Sequence, residues 1–311
     1  RSKPLDRIID EARELIADGV FELNMIGQDT TSYGDDVGRG LASGEGLPKL
    51  LRDVNDTIAR EAGAGWARLM YAYPTTFSDE MIDAIAELEH VVPYIDIPLQ
   101  HASNKMLTAM RRNVTREVQT DLLHKLRERI PGMAIRTTFI TGFPGETEDD
   151  HEQLLQFIEE IGFDMLGVFQ YSPEPGTPAG RMDADDSLRV DPETKARREH
   201  EIMMLQQSIA FEQAAFVAEQ FDPSDPENTG AVFDVLIDEA AGVQSEDGSY
   251  EATGRAYFQA PGIDSVTAVR SKKALSPGEL VRCTIVGSDG YDLIAQPKED
   301  LRRAMSLPVI S

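Results

Sequence analysis

The sequence predicts an α/β protein: a parallel sheet with helices outside it, open or curling toward a barrel, followed by a small antiparallel β-barrel. Three observations carry that prediction. Up to residue 171, β-rich runs alternate with helical stretches in five β-then-α steps. From residue 231 onward the apolar period changes to two. Between these regimes lies F-D-P-S-D-P-E-N-T, Phe221–Thr229, a run of turn formers that reads as a linker.

Leu5–Leu15 sets Leu5, Ile8, Ile9, Ala12 and Leu15 at helical spacing. Asp18-Gly19 ends that helix, and Val20–Ile26 reads as the first strand. Gly27-Gln28-Asp29-Thr30-Thr31 follows at its carboxyl end, and a glycine-rich polar loop, expected to be mobile, runs on to Gly46. Leu47–Arg60 is predicted helical, with Pro48 near its first turn. Trp66–Tyr71 is a strand ending in Tyr73-Pro74, and Ser78 caps a helix over Asp79–Leu88. Tyr94–Ile97 is a short strand leading into Pro98-Leu99-Gln100-His101, with helices over Ser103–Met110 and Thr115–Ile130 after it.

The next unit is the organising one. Ile135–Thr147, I-R-T-T-F-I-T-G-F-P-G-E-T, begins as a β-rich run and breaks at Gly142, Pro144 and Gly145. Thr147 then stands as N-cap before Glu148, Asp149 and Asp150, which suit the positive end of a helix running to Ile161. Met165–Tyr171 is a buried-looking strand, and the proline-rich Ser172–Pro178 is expected to be loop. A long helix spans about Pro192 to Gln220. Five short alternating runs then predict the barrel, which fixes the expected domains as 1–220, a linker 221–229, a barrel 230–298 and a tail 299–311.

The chain carries 55 Asp and Glu against 30 Lys and Arg, a net charge of −25. That balance disfavours nucleic-acid and membrane surfaces and favours basic partners or simple solubility. No apolar run approaches the roughly 18 residues that span a bilayer, and no signal segment opens the chain, so a soluble cytoplasmic protein is expected. The one cysteine, Cys283, excludes an internal disulfide and any cysteine-held metal or cluster built from this chain alone. Its alternating neighbours mark it as a small buried side chain in a strand.

Polar residues collect at predicted strand ends: Gln28, Asp29, Tyr73, Gln100, His101, Arg136, Thr138, Glu146 and Tyr171. In α/β proteins that edge is where ligands sit, so one site is placed there. Gln28 and Gln100 suit a ribose or an amide and are useless as acid or base. His101 has no partner at metal-ligand spacing and fits a hydrogen-bonded structural role as well as a functional one. Arg136, inside a strand, must meet a carboxylate, either a ligand's or the protein's own. The Gly142–Gly145 segment is a turn or a weak phosphate cradle, and Tyr171 fits packing as well as binding. No nucleophile–base pair and no catalytic residue stands out.

Several motifs in fixed order then identify a resemblance: R-S-K-P-L (Arg1–Leu5), G-Q-D-T-T-S-Y-G (Gly27–Gly34), R-L-M-Y-A-Y-P (Arg68–Pro74) and Y-I-D-I-P-L-Q-H-A-S (Tyr94–Ser103). Met110–Arg112, Arg136–Thr147 and Y-S-P-E-P-G-T-P-A (Tyr171–Ala179) continue it. The whole chain resembles the methylthiotransferase branch of the radical SAM enzymes, in the form that modifies an aspartate β-carbon of the twelfth small-subunit ribosomal protein. The resemblance implies a partial (β/α) barrel, here lacking its first strand, followed by a TRAM domain. It implies S-adenosylmethionine as methyl donor and as source of a deoxyadenosyl radical, and two [4Fe–4S] clusters in the intact protein. By position it assigns Gln28, Asp29, Gln100, His101, Arg136, Thr138, Gly142 and Tyr171 to the S-adenosylmethionine site. The cysteine loop and the cluster-bearing N-terminal domain of the family have no counterpart in these residues, so the chain is expected to be an inactive fragment with an unpaired sheet edge. Residues 213–298 carry fourteen acidic against six basic side chains, which fits a basic ribosomal protein better than tRNA. A tRNA-adenosine methylthiotransferase and a cluster-free ribosome-associated binding protein are the alternatives.

Overall fold

The structure is a computed structural model describing residues 1–36 and 46–301. Most of the polar loop expected to be mobile, and the tail from residue 302, lie outside the described residues. The chain forms two compact units, Arg1–Ile209 and Ala210–Ser311.

In the first unit, five strands follow one another in order across the sheet: β1 (Glu22–Met25), β2 (Trp66–Leu69), β3 (Val91–Asp96), β4 (Ala134–Thr141) and β5 (Met165–Gln170). Every neighbouring pair is parallel, so all five carboxyl ends share one edge. Helices supply each return: α1 (Leu5–Ala17), α2 (Gly46–Glu61), α3 (Asp79–Glu87), α4 (Asn104–Ala109), α5 (Arg116–Arg129) and α6 (Glu148–Ile161). After β5 come α7 (Pro178–Asp183) and α8 (Pro192–Ala218), the last of which continues into the second unit.

The apolar faces of α2, α3, α5 and α6 close on the sheet. Leu51, Val54 and Ile58 of α2, Ile82 and Ile85 of α3, Leu123 and Leu126 of α5, and Leu154, Phe157 and Ile158 of α6 join Leu69, Ile95, Ile135 and Phe139 in one core. Each such side chain contributes about 1.5–3 kcal/mol by leaving water. Caps set the helix starts. Ser78, Ser103, Thr115 and Thr147 each accept a backbone N–H of the first turn, and Thr147 and Asp150 cap each other reciprocally.

Three details differ from the sequence expectation. The third strand starts at Val91, upstream of Pro93, rather than at Tyr94. Pro93 has no N–H for a ladder, and the β2–β3 pairing shifts register between Ala67 and Leu69 beside it, so the proline costs no regular bond. Pro178 belongs to a helix, not to the preceding loop. It sits in the first turn of α7, where its fixed φ suits the helix, and the Thr177 hydroxyl accepts the Gly180 N–H at 2.9 Å.

The third difference is in the second unit, a closed barrel ordered β10-β8-β7-β6-β9. Its strands are β6 (Val232–Gln244), β7 (Tyr250–Arg255), β8 (Thr267–Ser271), β9 (Leu280–Asp289) and β10 (Asp292–Pro297). Four ladders are antiparallel, but β10 pairs with β8 in parallel. An odd number of strands cannot alternate direction around a closed ring, so a wholly antiparallel barrel of five is impossible. Val235, Ile237, Val269, Cys283, Ile285, Leu293 and Ala295 fill its interior.

Candidate functional site

A cavity of about 600 Å³ opens where the strands of the first unit end. Every strand or the loop after it contributes to its lining: Gln28 after β1, Tyr71 and Tyr73 after β2, Asp96 and Gln100 from β3, Arg136 and Thr138 on β4, and Phe169 and Tyr171 at β5. Along β4 the side chains alternate. Ile135, Thr137 and Phe139 are buried toward the helices, while Arg136, Thr138 and Ile140 face the cavity half-exposed.

Arg136 meets its carboxylate inside the protein. Asp96 is its register partner on β3, and Arg136 Nη1 donates to Asp96 Oδ1 at 2.9 Å. The question left open by the sequence is thereby answered: the pair is internal and braces the cavity floor.

Backbone strain concentrates here. Among the described residues, the non-glycine positions with positive φ are Tyr71 at 57°, Gln100 at 71° and Arg111 at 58°. Tyr71 and Gln100 line the cavity, and Arg111 precedes Arg112, which also lines it. A residue held in this region costs on the order of 1–3 kcal/mol and persists only where its surroundings over-determine it. At Gln100 they do: its N–H donates to Thr138 O at 3.0 Å and its carbonyl accepts the Ile140 N–H at 2.8 Å. The β3 loop is thus stitched to β4, with the Gln100 amide held at the cavity.

The opposite wall is aromatic. The Tyr171 ring packs edge-on against Phe143 at 5.1 Å, and Lys195 Nζ lies 5.2 Å from its centre while donating to Tyr171 O at 3.0 Å. The Tyr171 hydroxyl is buried with no hydrogen-bond partner among the described residues. Burial, with Asp183 and Glu174 adding repulsion, pushes its pKa above the ordinary tyrosine value, so it stays a neutral donor. A buried donor left unpaired costs about 1–3 kcal/mol, which a ligand acceptor would recover.

Of the eight positions proposed from the sequence, the structure gathers Gln28, Gln100, Arg136, Thr138 and Tyr171 on this cavity. Asp29, His101 and Gly142 do not line it. Asp29 turns back on its own loop, accepting from the Ser32 hydroxyl at 2.6 Å and the Ser32 N–H at 3.2 Å, and it borders a second cavity beside β1, α1 and α2. His101 is fully buried. Its Nδ1 accepts the N–H groups of Ala102 and Ser103 at 3.0 Å each, which assigns the ring hydrogen to Nε2, 3.4 Å from Glu146 Oε1. Glu146 in turn holds the Gly142 N–H and lies 3.2 Å from Arg198 Nη1. Gly142 itself has φ +74°, and a Cβ there would collide with the Lys195 side chain. These residues build the wall from behind.

Sequence reasoning did not single out Asp96, Tyr71, Phe169 or Arg112 as site residues. Asp96 had a signal, a carboxylate flanked by isoleucines in a buried strand. Arg112 stood within the Met110–Arg112 motif, but its direction is set by how α4 ends and could not be read.

The residues fit one of the two cofactor types implied by the resemblance. A polar floor, amides, an unpaired buried hydroxyl and aromatic walls suit a nucleoside with a charged tail such as S-adenosylmethionine. An iron–sulfur cluster is not matched. Among the described residues no group of three or more His, Cys, Asp or Glu is placed to hold a metal, and Cys283 is buried inside the barrel.

Comparison with known proteins sets this geometry in context. Residues 1–158 match the family model of the radical SAM superfamily, and residues 229–297 match that of the TRAM domain. A protein named ribosomal protein uS12 methylthiotransferase RimO, from Caldanaerobacter subterraneus subsp. tengcongensis, is 41% identical over 296 residues, covering 95% of this chain and 61% of that protein. Its namesake from Geotalea uraniireducens is 42% identical over 296 residues, covering 95% and 60%. The chain therefore spans about three-fifths of the length of the curated relatives it matches. Among solved structures, coproporphyrinogen III oxidase (HemN) from Escherichia coli aligns with a TM-score of 0.47 and 15% identity, over 69% of this chain and 47% of that one.

Proposed function

We propose, from the premise that this chain belongs to the radical SAM superfamily, that it provides the S-adenosylmethionine-binding and substrate-binding surfaces of a methylthiotransferase. The substrate proposed is ribosomal protein uS12, after the relatives that bear that name; the β-carbon of an aspartate as the modified atom is what the motif resemblance implies. The observation that carries the reading is the cavity at the shared carboxyl edge, with Gln28, Gln100, Arg136, Thr138 and Tyr171 around it.

S-adenosylmethionine bound in this cavity would supply the methyl group and the radical source. The Gln28 and Gln100 amides would grip ribose hydroxyls, and the Tyr171 hydroxyl would donate to a ring or ribose acceptor. Thr138 would add a second hydroxyl on the floor, and the Asp96–Arg136 pair would hold that floor rigid. The two [4Fe–4S] clusters proposed for the whole protein take no ligand from these residues, so no step through them is assigned to this chain. By itself the chain is expected to bind and not to turn over.

The barrel is proposed to meet the ribosomal protein in the cytoplasm. Its β6–β7 hairpin carries exposed Glu239, Glu246, Asp247 and Glu251, an acidic arm complementary to a basic protein and repellent to tRNA phosphates.

The test is equilibrium binding of S-adenosylmethionine to the full 311-residue chain, repeated with Gln100→Ala and Tyr171→Phe. Saturable binding weakened by about tenfold in either variant would support the proposal. No binding, or methylthiolation of uS12 by this chain without added sequence, would overturn it.

A further inference from the structure

The charges around the cavity do not balance. Its charged lining residues are Asp96, Arg112 and Arg136, so a chain of net charge −25 places an excess positive charge at this strand-end cavity. Asp96 is committed to Arg136 at 2.9 Å. Arg112 has no carboxylate partner among the described residues; it rests against the Tyr73 ring, its guanidinium carbon 5.6 Å from the ring centre. That contact orients a cation without neutralising it.

The backbone aims Arg112 deliberately. Helix α4 ends in a Schellman motif: the Arg111 N–H donates to Thr108 O at 3.0 Å and the Arg112 N–H to Leu107 O at 2.8 Å. The left-handed position of that motif ordinarily falls to glycine, yet Arg111 occupies it with φ 58°. The turn that presents Arg112 is therefore closed by two backbone bonds and held at some cost. Arg112 keeps this uncommitted position in a chain where acidic residues outnumber basic ones nearly two to one.

We propose that Arg112 is a carboxylate-recognising residue of this cavity, taking a carboxylate in its planar fork beside the Tyr73 ring. The inference rests on the proposed function for the identity of its ligand. Two sources offer the same chemistry there: the acidic side chain of the protein substrate and the carboxylate of the methionine moiety of S-adenosylmethionine. Arg112 moves no proton and makes no bond; it orients.

The experiment titrates the full chain, Arg112→Gln and Arg112→Lys with succinate, S-adenosylmethionine and decarboxylated S-adenosylmethionine, reading calorimetry and the arginine side-chain N–H resonances. A basic peptide carrying one aspartate and its asparagine twin complete the probes. Succinate is expected to shift the Arg112 resonance and to bind about tenfold more weakly to Arg112→Gln, with part of the loss restored in Arg112→Lys. A loss for S-adenosylmethionine but not its decarboxylated form would assign the carboxylate to the cofactor. A loss for the aspartate peptide but not the asparagine peptide would assign it to the substrate. Either result supports the site. Equal losses for probes with and without a carboxylate, or no loss at all, would overturn it, with unchanged thermal unfolding showing that the variants are folded. Failure of the wild-type chain to bind S-adenosylmethionine would count against the proposed function alone, because succinate still decides the subsite.

Discussion

Asp96 and Arg136 lie 40 positions apart in the chain yet face each other as register partners on adjacent parallel strands, joined at 2.9 Å. The carboxylate side is almost fully buried, the guanidinium mostly so. Removing the acid takes a buried carboxylate away from the Arg136 guanidinium at the cavity floor. Asp96→Ala is expected to destabilise the first unit by about 2–3 kcal/mol in urea unfolding. A loss below about 0.5 kcal/mol would mean that water or another acceptor replaces Asp96 at no cost.

Arg111 tests the strain argument in the opposite direction. Glycine adopts its left-handed backbone without a Cβ clash, so Arg111→Gly is expected to stabilise the first unit by about 1 kcal/mol. For a unit of this size that corresponds to a rise of roughly 2–4 °C in the melting midpoint. Arg112 should keep its position, so carboxylate binding should be unchanged.

Gly142 admits no side chain. Alanine there would need a positive φ and would push against Lys195, which packs on Tyr171 and holds its carbonyl. Gly142→Ala is expected to cost at least about 1–2 kcal/mol. It should also loosen the Tyr171 wall, visible as a weaker ligand interaction when compared with a surface Gly63→Ala control, where a Cβ meets nothing within 4 Å.

Asp150 sets an acid limit on stability. Burial alone would raise its pKa, but hydrogen bonds from Lys105 at 2.6 Å, from Ser103 at 2.6 Å and from Thr147 outweigh that and hold it well below the ordinary carboxylate range. A depressed folded-state pKa contributes stability that is present above the unfolded value of about 3.9 and is lost as pH falls below it. The urea midpoint should therefore drop from pH 5 toward pH 2, and Asp150→Asn should flatten that part of the curve. An unchanged slope in the variant would remove Asp150 from the account.

Cys283 reports on the barrel. Burial first, then the nearby Asp234 and Asp300, push its thiol up to about 12. It stays protonated and inaccessible while the barrel is closed. Labelling by a thiol reagent at pH 8 should be negligible in the folded chain and complete in urea, with a transition that tracks unfolding of the second unit. Fast labelling of the native chain would place Cys283 elsewhere.

Local patterns in the sequence were enough for a parallel sheet, the capped helices and the change to a five-stranded barrel. Apolar spacing, glycine breaks and capping residues such as Thr147 act over a few residues, so they are readable without the fold. They also gathered polar residues at the strand ends, where the structure has a polar-lined cavity. Which residues meet there was not readable. A side chain just beyond a strand points where its turn sends it: Gln100, in a left-handed backbone pinned to β4, reaches the cavity, while adjacent His101 turns inward to Glu146. Arg112 arrives by the way α4 ends, and Asp96 is identified as the partner of Arg136 only by strand register. A closed ring of five strands requires a parallel neighbour pair, and the folded chain makes that pair β8 and β10. Element type is decided by neighbours in the chain; the composition of the site is decided by contacts tens of residues apart, which only the folded chain brings together.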